Sequence, residues 1–399
     1  NVSCKAIDYK PETKKGPALV ADILLHESPV EIGVSNDGLC TPSLVPIEAS
    51  AEGTTPIQPR EVVVVTGGAR GVTAEVALAM AGAWKPTLVL LGRSDAPTPE
   101  DPWLQPLESE DDIRQALLQQ ANGAMKPKEL REALTAIQRN RAALRNIEAM
   151  EEAGATVEYF AVDIRDADAV TELLDEVRNE YGPVKGLVHG AGVLADRLIE
   201  DKTAEQFNEV YATKVEGLQA LLAAAREDDV RFMVFFSSST GRFGRKGQID
   251  YAAANEVLNK TAQREAHGRE NCRVVSINWG PWAGGMVTPD LAKLFKSEGV
   301  GLIGLEDGAQ YVVNELQQPG ERPVEIVVMG GEIPEIKSPV HAAAAPAVVQ
   351  STKSALPPLI DIDLNVDAFP FLTSHVLNNK AVLPVAMITE WFAHTALHA

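Results

Sequence analysis

The chain has 399 residues, of which 45% are hydrophobic and 23% charged, as expected for a globular protein of two or three domains. Its formal net charge of −20 argues against nucleic-acid binding, and no apolar run is long enough to cross a bilayer. The three cysteines lie far apart without metal-ligand spacing, so we expect a reducing, cytoplasmic setting and no metal site. The chain opens on Asn1 rather than Met, which indicates an excised or processed piece of something longer.

Residues 1–60 predict little independent structure. Residues 30–35 have the pattern of a strand, 36–38 that of a turn, and 39–45 that of a returning strand. Such a hairpin is too small to hold a core alone, and residues 54–60 have the composition of a linker.

Between residues 61 and 331, short apolar stretches alternate with helical patterns. Near-continuous apolar runs are typical of parallel strands that are covered on both faces. The alternation predicts an α/β protein with a doubly wound parallel sheet of the Rossmann type. The predicted strands are 62–66, 87–91, 157–162, 186–189, 232–237, 273–278 and 324–329.

Two further segments have a distinct composition. Residues 95–153 are too long for an ordinary crossover, and they predict a structural insertion of a Pro-rich, acidic loop and a helical pair ended by Gly154. Residues 332–358 are Pro- and Ala-rich and predict a linker, whereas 359–399 have the pattern of an ordered segment.

A glycine-rich turn follows the first strand and opens a helix. Glycines at this place let the backbone approach a pyrophosphate, which the helix N-terminus attracts. A simple tight turn is the alternative. The predicted cofactor turn comprises Thr66, Gly67, Gly68, Arg70, Gly71 and Val72.

The ends of the next strands predict the choice of cofactor. Arg93 follows the second strand, where a 2′-phosphate favours arginine, and it indicates NADPH unless it is a solvated surface residue. Asp163, followed by Ile164, is placed to bond the adenine amine at the end of the third strand. The fourth strand ends in residues that give the backbone close access to the cofactor, namely Gly190, Ala191 and Gly192.

Four polar residues form a candidate catalytic set: Ser238 ends the fifth strand, Tyr251 opens a helix, Asn255 lies one turn beyond, and Lys214 lies on the preceding helix. Their order and spacing resemble the short-chain dehydrogenase/reductase superfamily. Ordinary members carry lysine where Asn255 stands. The exchange of lysine and asparagine resembles the ketoreductase domains of modular and iterative synthases, as do Gly247-Gln248 and Trp279-Gly-Pro-Trp282. The resemblance covers residues 61–331.

The resemblance implies NADPH-dependent reduction of a carrier-bound 3-ketoacyl thioester to a 3-hydroxyacyl thioester. Negative charge grows on the ketone oxygen during reduction, so a hydrogen-bond donor and a proton are needed there. We expect Tyr251 to supply the proton and Ser238 a second hydrogen bond. Lys214 would lower the pKa of Tyr251 and bond the nicotinamide ribose, while Asn255 would hold Lys214 or a relay water.

The mouth of the site carries the candidate residues for stereocontrol. Asp196 matches the second Asp of the Leu-Asp-Asp pattern in relatives that form the (3R) alcohol, whereas Ala195 departs from it, and Phe243 stands where relatives of the opposite outcome carry tryptophan. We therefore expect the (3R) product, although Asp196 equally suits a helix start. Trp282 and Met286 are further candidates for substrate contact.

Two surface features near the mouth predict the handling of the substrate. Residues 283–304, rich in glycine and apolar side chains, predict a lid. Arg242, Arg245 and Lys246 are placed to meet a phosphopantetheine phosphate or an acidic carrier protein, with a solvated basic loop as the alternative.

The sequence departs from the family in two places. Thr73 stands where the family often has glycine, and it either donates its hydroxyl to phosphate or loosens the cofactor fit. The family's preceding structural subdomain is nearly missing, since only residues 31–45 resemble its closing strand pair.

The tail resembles the opening of a synthase dehydratase domain of the hot-dog type. His375 matches the position of that family's catalytic base, and Asn379 departs from its glycine. The family's partner acid belongs to a later repeat, so we expect no dehydration by this chain alone. The implied partners are an acyl carrier protein and neighbouring dehydratase and ketosynthase domains of an iterative polyketide or polyunsaturated fatty-acid synthase, with no membrane involved.

Two other functions stay open at this point. A free-standing dehydrogenase acting on a small ketone is disfavoured by Asn255 and by the dehydratase-like tail. A silent scaffold that binds NADPH without turnover is disfavoured by the intact Lys214, Ser238 and Tyr251, while Thr73 and the missing subdomain keep it open.

Overall fold

The structure is a computed structural model that describes residues 5–9, 19–20, 23–24, 29–36, 38–47, 53–121, 124–331, 369–370, 376–377 and 380–381. The chain divides into two units, one comprising Asn1–Val45 with Ile336–Ala399 and the other Pro46–Glu335. The predicted linker 332–358 lies outside the described residues, as does His375.

The smaller unit contains a three-stranded sheet, in which β2 (Glu31–Ser35) pairs antiparallel with β3 (Gly38–Cys40) and parallel with β1 (Ala6–Tyr9). The predicted hairpin is confirmed, but its second strand ends at Cys40 rather than at residue 45. Pro42 follows closely and has no N–H for a ladder. Strand β1 was not predicted, because its partner lies about 25 residues along the chain. In the tail, β11 (Val376–Leu377) pairs with β12 (Lys380–Ala381).

The larger unit alternates strands and helices. The seven strands of its sheet are β4 (Val62–Thr66), β5 (Thr87–Gly92), β6 (Thr156–Ala161), β7 (Val184–His189), β8 (Phe232–Ser238), β9 (Arg273–Trp279) and β10 (Glu325–Val328). The helices are α1 (Gly71–Trp84), α2 (Glu110–Gln120), α3 (Pro127–Glu152), α4 (Ala167–Tyr181), α5 (Ala204–Ala224), α6 (Ser239–Phe243), α7 (Ile249–Gly268), α8 (Pro289–Ser297) and α9 (Leu305–Gln317), with a short 3₁₀ turn at Ile199–Asp201. All seven predicted strands are confirmed to within about two residues.

The sheet is parallel throughout, with the order β10-β9-β8-β7-β4-β5-β6. Val63 and Val65 of β4 face a core formed with α1, α3 and α9, whereas Val62 and Val64 face a core formed with α4, α5 and α7. Burial on both faces explains why these strands are apolar without alternation. The chain reverses its direction of winding between β4 and β7, which opens a cleft at their carboxyl ends.

The predicted insertion is confirmed as a helical pair. Helix α2 packs on the first half of α3 through a small core of its own, and the second half of α3 joins the main core through Ala143 and Met150. Gly154 follows α3 with a φ of 104°, which glycine adopts without strain. Within the described part of the chain, no helix is long and apolar enough to cross a membrane.

Candidate active site

The glycine-rich turn between β4 and α1 forms one wall of the cleft. Gly67 and Gly71 have φ values of 73° and 64°, a region that glycine enters without steric cost. A Cβ atom on Gly68 would lie 2.6 Å from Val65 Cγ1, so no larger residue fits there. Arg70 precedes the first helical residue in extended conformation. The turn therefore places backbone N–H groups of a helix start at the carboxyl ends of the strands, where a dinucleotide binds in folds of this type.

Thr73 packs against the next loop of the cleft. It is only 4% exposed, and a Cβ atom on Gly190 would lie 2.5 Å from Thr73 Cγ2. The threonine thus fills the space that the glycine leaves, and its two expected roles towards the cofactor stay predictions. Helix α1 can approach the end of β7 closely because the residue without a side chain stands at Gly190 rather than at position 73.

The predicted adenosine end lies at the ends of β5 and β6. Arg93 is exposed there, whereas Asp163 forms an ion pair with Arg165 at 2.5 Å between Oδ2 and Nη2, which lowers the pKa of the Asp163 carboxyl. The side chain of Ile164 is buried against Gly217 of α5. The carboxylate of Asp163 is therefore already shared with a guanidinium.

His189 links three parts of the cleft and was not predicted as a functional residue. Its Nε2 lies 2.9 Å from the Lys214 carbonyl oxygen, which can only accept, so Nε2 carries the proton. Its Nδ1 therefore accepts from the Thr66 hydroxyl at 2.9 Å, and that oxygen accepts from the Ala191 N–H at 3.2 Å. Complete burial lowers the pKa of His189 to about 3, so the ring is neutral. The sequence signal that could have pointed to this role is a histidine at the end of an otherwise apolar strand.

Lys214 reaches into the cleft from α5. The residue is 2% exposed, and its Nζ donates to the Phe236 carbonyl oxygen at 2.7 Å. A Cβ atom on Gly192 would lie 3.0 Å from Lys214 Cε, so the predicted backbone access at this glycine also makes room for the ammonium group. Burial lowers the pKa of Lys214 to about 7.

The structure brings Tyr251, Ser238 and Asn255 together beside Lys214. The Lys214 Nζ lies 5.5 Å from the centre of the Tyr251 ring. Burial raises the pKa of the Tyr251 phenol, and Asp196 adds to the rise, while neighbouring Asn255 and Ser238 counteract it. The expectation of a lowered Tyr251 pKa is therefore wrong for this structure, because desolvation outweighs the stabilising contacts.

The side-chain amide of Asn255 uses its nitrogen for a hydrogen bond within its own helix, and its oxygen remains available. Its Nδ2 donates to the Tyr251 carbonyl oxygen at 2.8 Å, while its buried Oδ1 has no hydrogen-bond partner among the residues that the structure describes. A buried amide oxygen of this kind, close to Tyr251, suits a further donor such as a ribose hydroxyl or a water.

The stereocontrol candidates occupy different surroundings. Asp196 Oδ2 accepts from Gln248 Nε2 at 2.8 Å, and Phe243 and Met286 are 57% and 49% exposed. Trp282 differs from the prediction of substrate contact, since it is 4% exposed and its ring packs edge-on against Trp279 with 4.7 Å between centroids. Its ring belongs to the core, so it supports the segment that follows rather than facing a substrate.

The predicted lid contacts the cofactor turn and the basic loop. A Cβ atom on Gly285 would lie 3.0 Å from Val72 Cγ1, which places the start of the lid on the glycine-rich turn. The Arg245 guanidinium stacks 4.7 Å from the centre of Phe295 in α8 and lies 3.5 Å from Glu298. A pocket of about 290 Å³ opens beside this loop, and it is lined by Arg197, Leu198, Ile199, Glu200, Arg245, Lys246, Gly247 and Ile249.

The cleft fits a nicotinamide dinucleotide on this chain's own features. The positive-φ glycines, the space at Gly192 and the free Asn255 Oδ1 all lie at the carboxyl edge of the sheet. The described residues include no cluster of three or more His, Cys, Asp or Glu that could hold a metal ion. The fold and this cleft define a Rossmann-type protein of the short-chain dehydrogenase/reductase class.

Comparison with known proteins identifies the family. The model of the KR domain, the ketoreductase domain of synthases, matches residues 62–284, and the chain belongs to this family. The chain is 33% identical to a polyunsaturated fatty acid synthase protein of Thraustochytrium sp. over 390 residues, which cover 94% of this chain and 13% of that protein. The chain therefore spans only about an eighth of this relative.

Solved ketoreductases have the same fold. The ketoreductase from the first module of phoslactomycin biosynthesis in Streptomyces sp. HK803 aligns with a TM-score of 0.62 at 26% identity, covering 82% of this chain and 66% of that one. A ketoreductase domain from the bacillaene assembly line aligns with a TM-score of 0.61 at 25% identity, covering 82% and 69%.

Proposed function

We propose that this chain reduces a carrier-bound 3-ketoacyl thioester to the (3R)-hydroxyacyl thioester with NADPH, as a ketoreductase within a fatty-acid or polyketide synthase. The observation that carries the proposal is the meeting of Lys214, Ser238, Tyr251 and Asn255 at the switch point of the sheet, in a chain of the ketoreductase family. The bound cofactor would supply a hydride, and the chain's residues would manage charge and proton at the ketone oxygen.

Tyr251 acts as the proton donor in this proposal. Its raised pKa keeps the phenol protonated at neutral pH, so the group can donate to the oxygen as negative charge grows there. Ser238 ends β8 beside it and offers a second hydroxyl. Together they form an oxyanion site whose donors need no rearrangement during reduction.

Lys214 and Asn255 support the donor from the floor of the cleft. The ammonium form of Lys214, 5.5 Å from the centre of the Tyr251 ring, would stabilise the tyrosinate that remains after proton transfer, and the same group would bond the nicotinamide ribose. The free Oδ1 of Asn255 would hold the water that returns a proton to Tyr251. The neutral His189 fixes the backbone of Lys214 relative to Thr66.

Arg93 is proposed to select NADPH over NADH. It is exposed at the end of β5, on the side where the ribose of the adenosine half would lie, and Arg70 stands at the nearby helix start. Arg93→Ala should raise the dissociation constant for NADPH about 10- to 100-fold while that for NADH changes little. Equal weakening of both cofactors, measured by quenching of tryptophan fluorescence, would contradict the assignment.

An acyl carrier protein is the proposed partner. The pocket beside α7 has apolar walls and is lined by three cations, Arg197, Arg245 and Lys246, and by one carboxylate, Glu200, in a chain whose net charge is −20. Such a local excess of positive charge favours the phosphate of a phosphopantetheine arm or an acidic carrier surface. Neighbouring ketosynthase and dehydratase domains, the latter beginning in residues 359–399, complete the proposed setting.

Turnover with defined substrates tests the proposal. The full chain is given NADPH and a 3-ketoacyl pantetheine thioester, or a small cyclic ketone of similar reactivity, and the configuration of the alcohol is determined by chiral chromatography. We expect a clear preference for the thioester and the (3R) alcohol. Preference for the small ketone would instead indicate a free-standing dehydrogenase, and NADPH binding without any reduction would indicate a silent scaffold.

A further inference from the structure

A buried ion pair lies directly beneath the loop that carries Asp196, and the roles proposed above do not use it. Lys202 Nζ lies 2.6 Å from Asp250 Oδ2, with side-chain exposures of 4% and 1%. Removing two charges from water is expensive, and an apolar pair of similar size is often no less stable. Stability alone therefore does not explain an ion pair at this place.

Each partner also holds one side of the active-site mouth. Lys202 Nζ donates to the Ala195 carbonyl oxygen at 2.8 Å, and Asp250 Oδ1 accepts from the Tyr251 backbone N–H at 2.9 Å. The ion pair thus connects the backbone of the Asp196 loop to the backbone of the proposed proton donor. The two residues are 48 positions apart in the chain, so this connection is tertiary.

Neighbouring contacts join the same two segments. Gln248 Nε2 donates to Asp196 Oδ2 at 2.8 Å, and the Arg197 N–H donates to the Gly247 carbonyl oxygen at 2.9 Å. The negative charge of Asp196 is near enough to raise the pKa of Tyr251, so this loop borders the phenol. Residues 195–197 are therefore held against the start of α7 at three consecutive positions.

We propose that Lys202 and Asp250 are positioning residues that set the distance and angle between the Asp196 loop and Tyr251, and thereby the face of the ketone that is reduced. This inference rests on the proposed function. A ketone must present one face to the hydride while its oxygen touches Tyr251, and the loop limits how the rest of the substrate can turn. Misplacement by about 1 Å at such a site can cost about 100-fold in rate.

The test compares two double variants of the full chain. Lys202→Met with Asp250→Leu removes both charges together, which avoids leaving one of them buried and unpaired. The matched control is Arg178→Met with Asp228→Leu, a partly buried pair with 2.8 Å between Nη2 and Oδ2 at the opposite edge of the sheet. For each protein the ratio of (3R) to (3S) alcohol, KM, kcat, NADPH affinity and melting temperature are measured with a 3-ketoacyl pantetheine thioester.

We expect the Lys202/Asp250 variant to lose at least tenfold in the alcohol ratio and to raise KM for the thioester, with unchanged NADPH affinity. The control should lower only the melting temperature. Gln248→Ala, which cuts the Asp196 link without touching a buried charge, should shift the alcohol ratio in the same direction and serves as the readout if the double variant does not fold.

Two results would overturn the inference, and they differ. If the parent is active and the folded double variant keeps its alcohol ratio and KM, the ion pair has only a structural role. The same conclusion follows if the double variant does not fold and Gln248→Ala keeps both values. A parent that reduces no 3-ketoacyl thioester would overturn the proposed function, and this inference with it.

Discussion

The amino edge and the carboxyl edge of the central sheet both bury charged side chains, but they pair them differently. At the amino edge, Asp228 is paired with Arg178, and Glu315 lies between Arg273 and Arg322 with N–O distances of 2.6 and 2.7 Å. Each buried carboxylate there has at least one guanidinium partner. These contacts join helices to the strand starts and serve the fold.

At the carboxyl edge, Lys202 and Asp250 are also paired, but the buried groups that are proposed to act in the reaction have no charged partner among the described residues. Lys214 is as buried as Glu315, yet its ammonium donates to the Phe236 carbonyl oxygen rather than to a carboxylate. Burial keeps His189 neutral, and within the described part of the chain the Oδ1 of Asn255 has no hydrogen-bond partner. Buried polar groups without a charged partner cost stability, and proteins commonly accept such a cost at active sites.

The largest expected effect tests the reactive edge directly. Tyr251→Phe removes the proposed proton donor but keeps the ring beside Lys214, so kcat should fall by about 10²- to 10⁴-fold. NADPH affinity should stay close to that of the parent, because the phenol oxygen is proposed to meet the substrate. Single-turnover oxidation of NADPH, followed by absorbance, gives the rate, and Tyr311→Phe, in the core contact with Trp279, is the matched control. Turnover that survives in Tyr251→Phe would remove this residue as donor.

The next largest effect is expected in how the free energy of unfolding depends on pH. Lys214 has a pKa of about 7 when folded and an ordinary value of 10.5, so between these pH values the unfolded chain holds one more proton than the folded one. Stability therefore rises with pH across that window, by about 1.4 kcal/mol per unit at most, and the penalty is complete below pH 7.

Lys214→Met should remove this penalty. At pH 6 the variant should gain a few kcal/mol of stability relative to the parent from the removed penalty. It should lose about 1 kcal/mol of this gain because the hydrogen bond to Phe236 is also removed. The difference in stability should shrink towards pH 10.5. Urea unfolding at several pH values measures it. Arg178→Met should instead destabilise the chain at all these pH values, since it leaves Asp228 buried without its guanidinium. A Lys214→Met curve parallel to that of the parent would contradict the account of this edge.

These two edges were not equally accessible to sequence reasoning. The strands follow from local apolar runs, whereas Ser238, Tyr251, Asn255 and Lys214 were identified because their order and spacing resemble the ketoreductase pattern. Parallel topology predicts that the loops after these strands meet at the carboxyl edge, and the packing of helices α5 and α7 then brings Lys214 and Tyr251 together there.

Long-range pairings leave no such signal. The partner of His189 is a backbone carbonyl 25 residues away, and that of Lys202 is 48 residues away. The burial of Trp282 depends on Gly308, a residue of a helix that comes later, over which its ring packs. The rise in the Tyr251 pKa is a balance of burial against nearby contacts, and that balance needs the folded surroundings.

A packing test concerns the contact between the cofactor turn and β7. Gly190→Ala should lower the free energy of unfolding by about 1–3 kcal/mol, because the new methyl group meets Thr73. Adding Thr73→Ala removes the two clashing atoms and should recover most of the loss. Denaturant unfolding of the four proteins in this cycle gives the coupling, and NADPH affinity should follow the same pattern. Additive effects would mean that the two residues do not share this space.

The smallest expected effect concerns the insertion, for which the sequence predicts a purely structural role. Asn146 of α3 donates from Nδ2 to the Ala69 carbonyl oxygen at 2.9 Å, and Ala69 lies within the cofactor turn. Losing one such bond costs about 0.5–1.5 kcal/mol, so Asn146→Ala should raise the dissociation constant for NADPH about two- to tenfold.

Asn140→Ala is the control within the same helix, because Asn140 bonds both the N–H and the carbonyl oxygen of Thr98, at 2.9 and 2.8 Å, and not the turn. It should lower stability and leave NADPH affinity unchanged. If both variants bind NADPH like the parent, the insertion only covers the sheet. If Asn146→Ala alone weakens binding, α3 reaches from the core to the carboxyl edge and helps to hold the cofactor turn, so part of the reactive edge is built from a segment outside the strand-and-helix repeat.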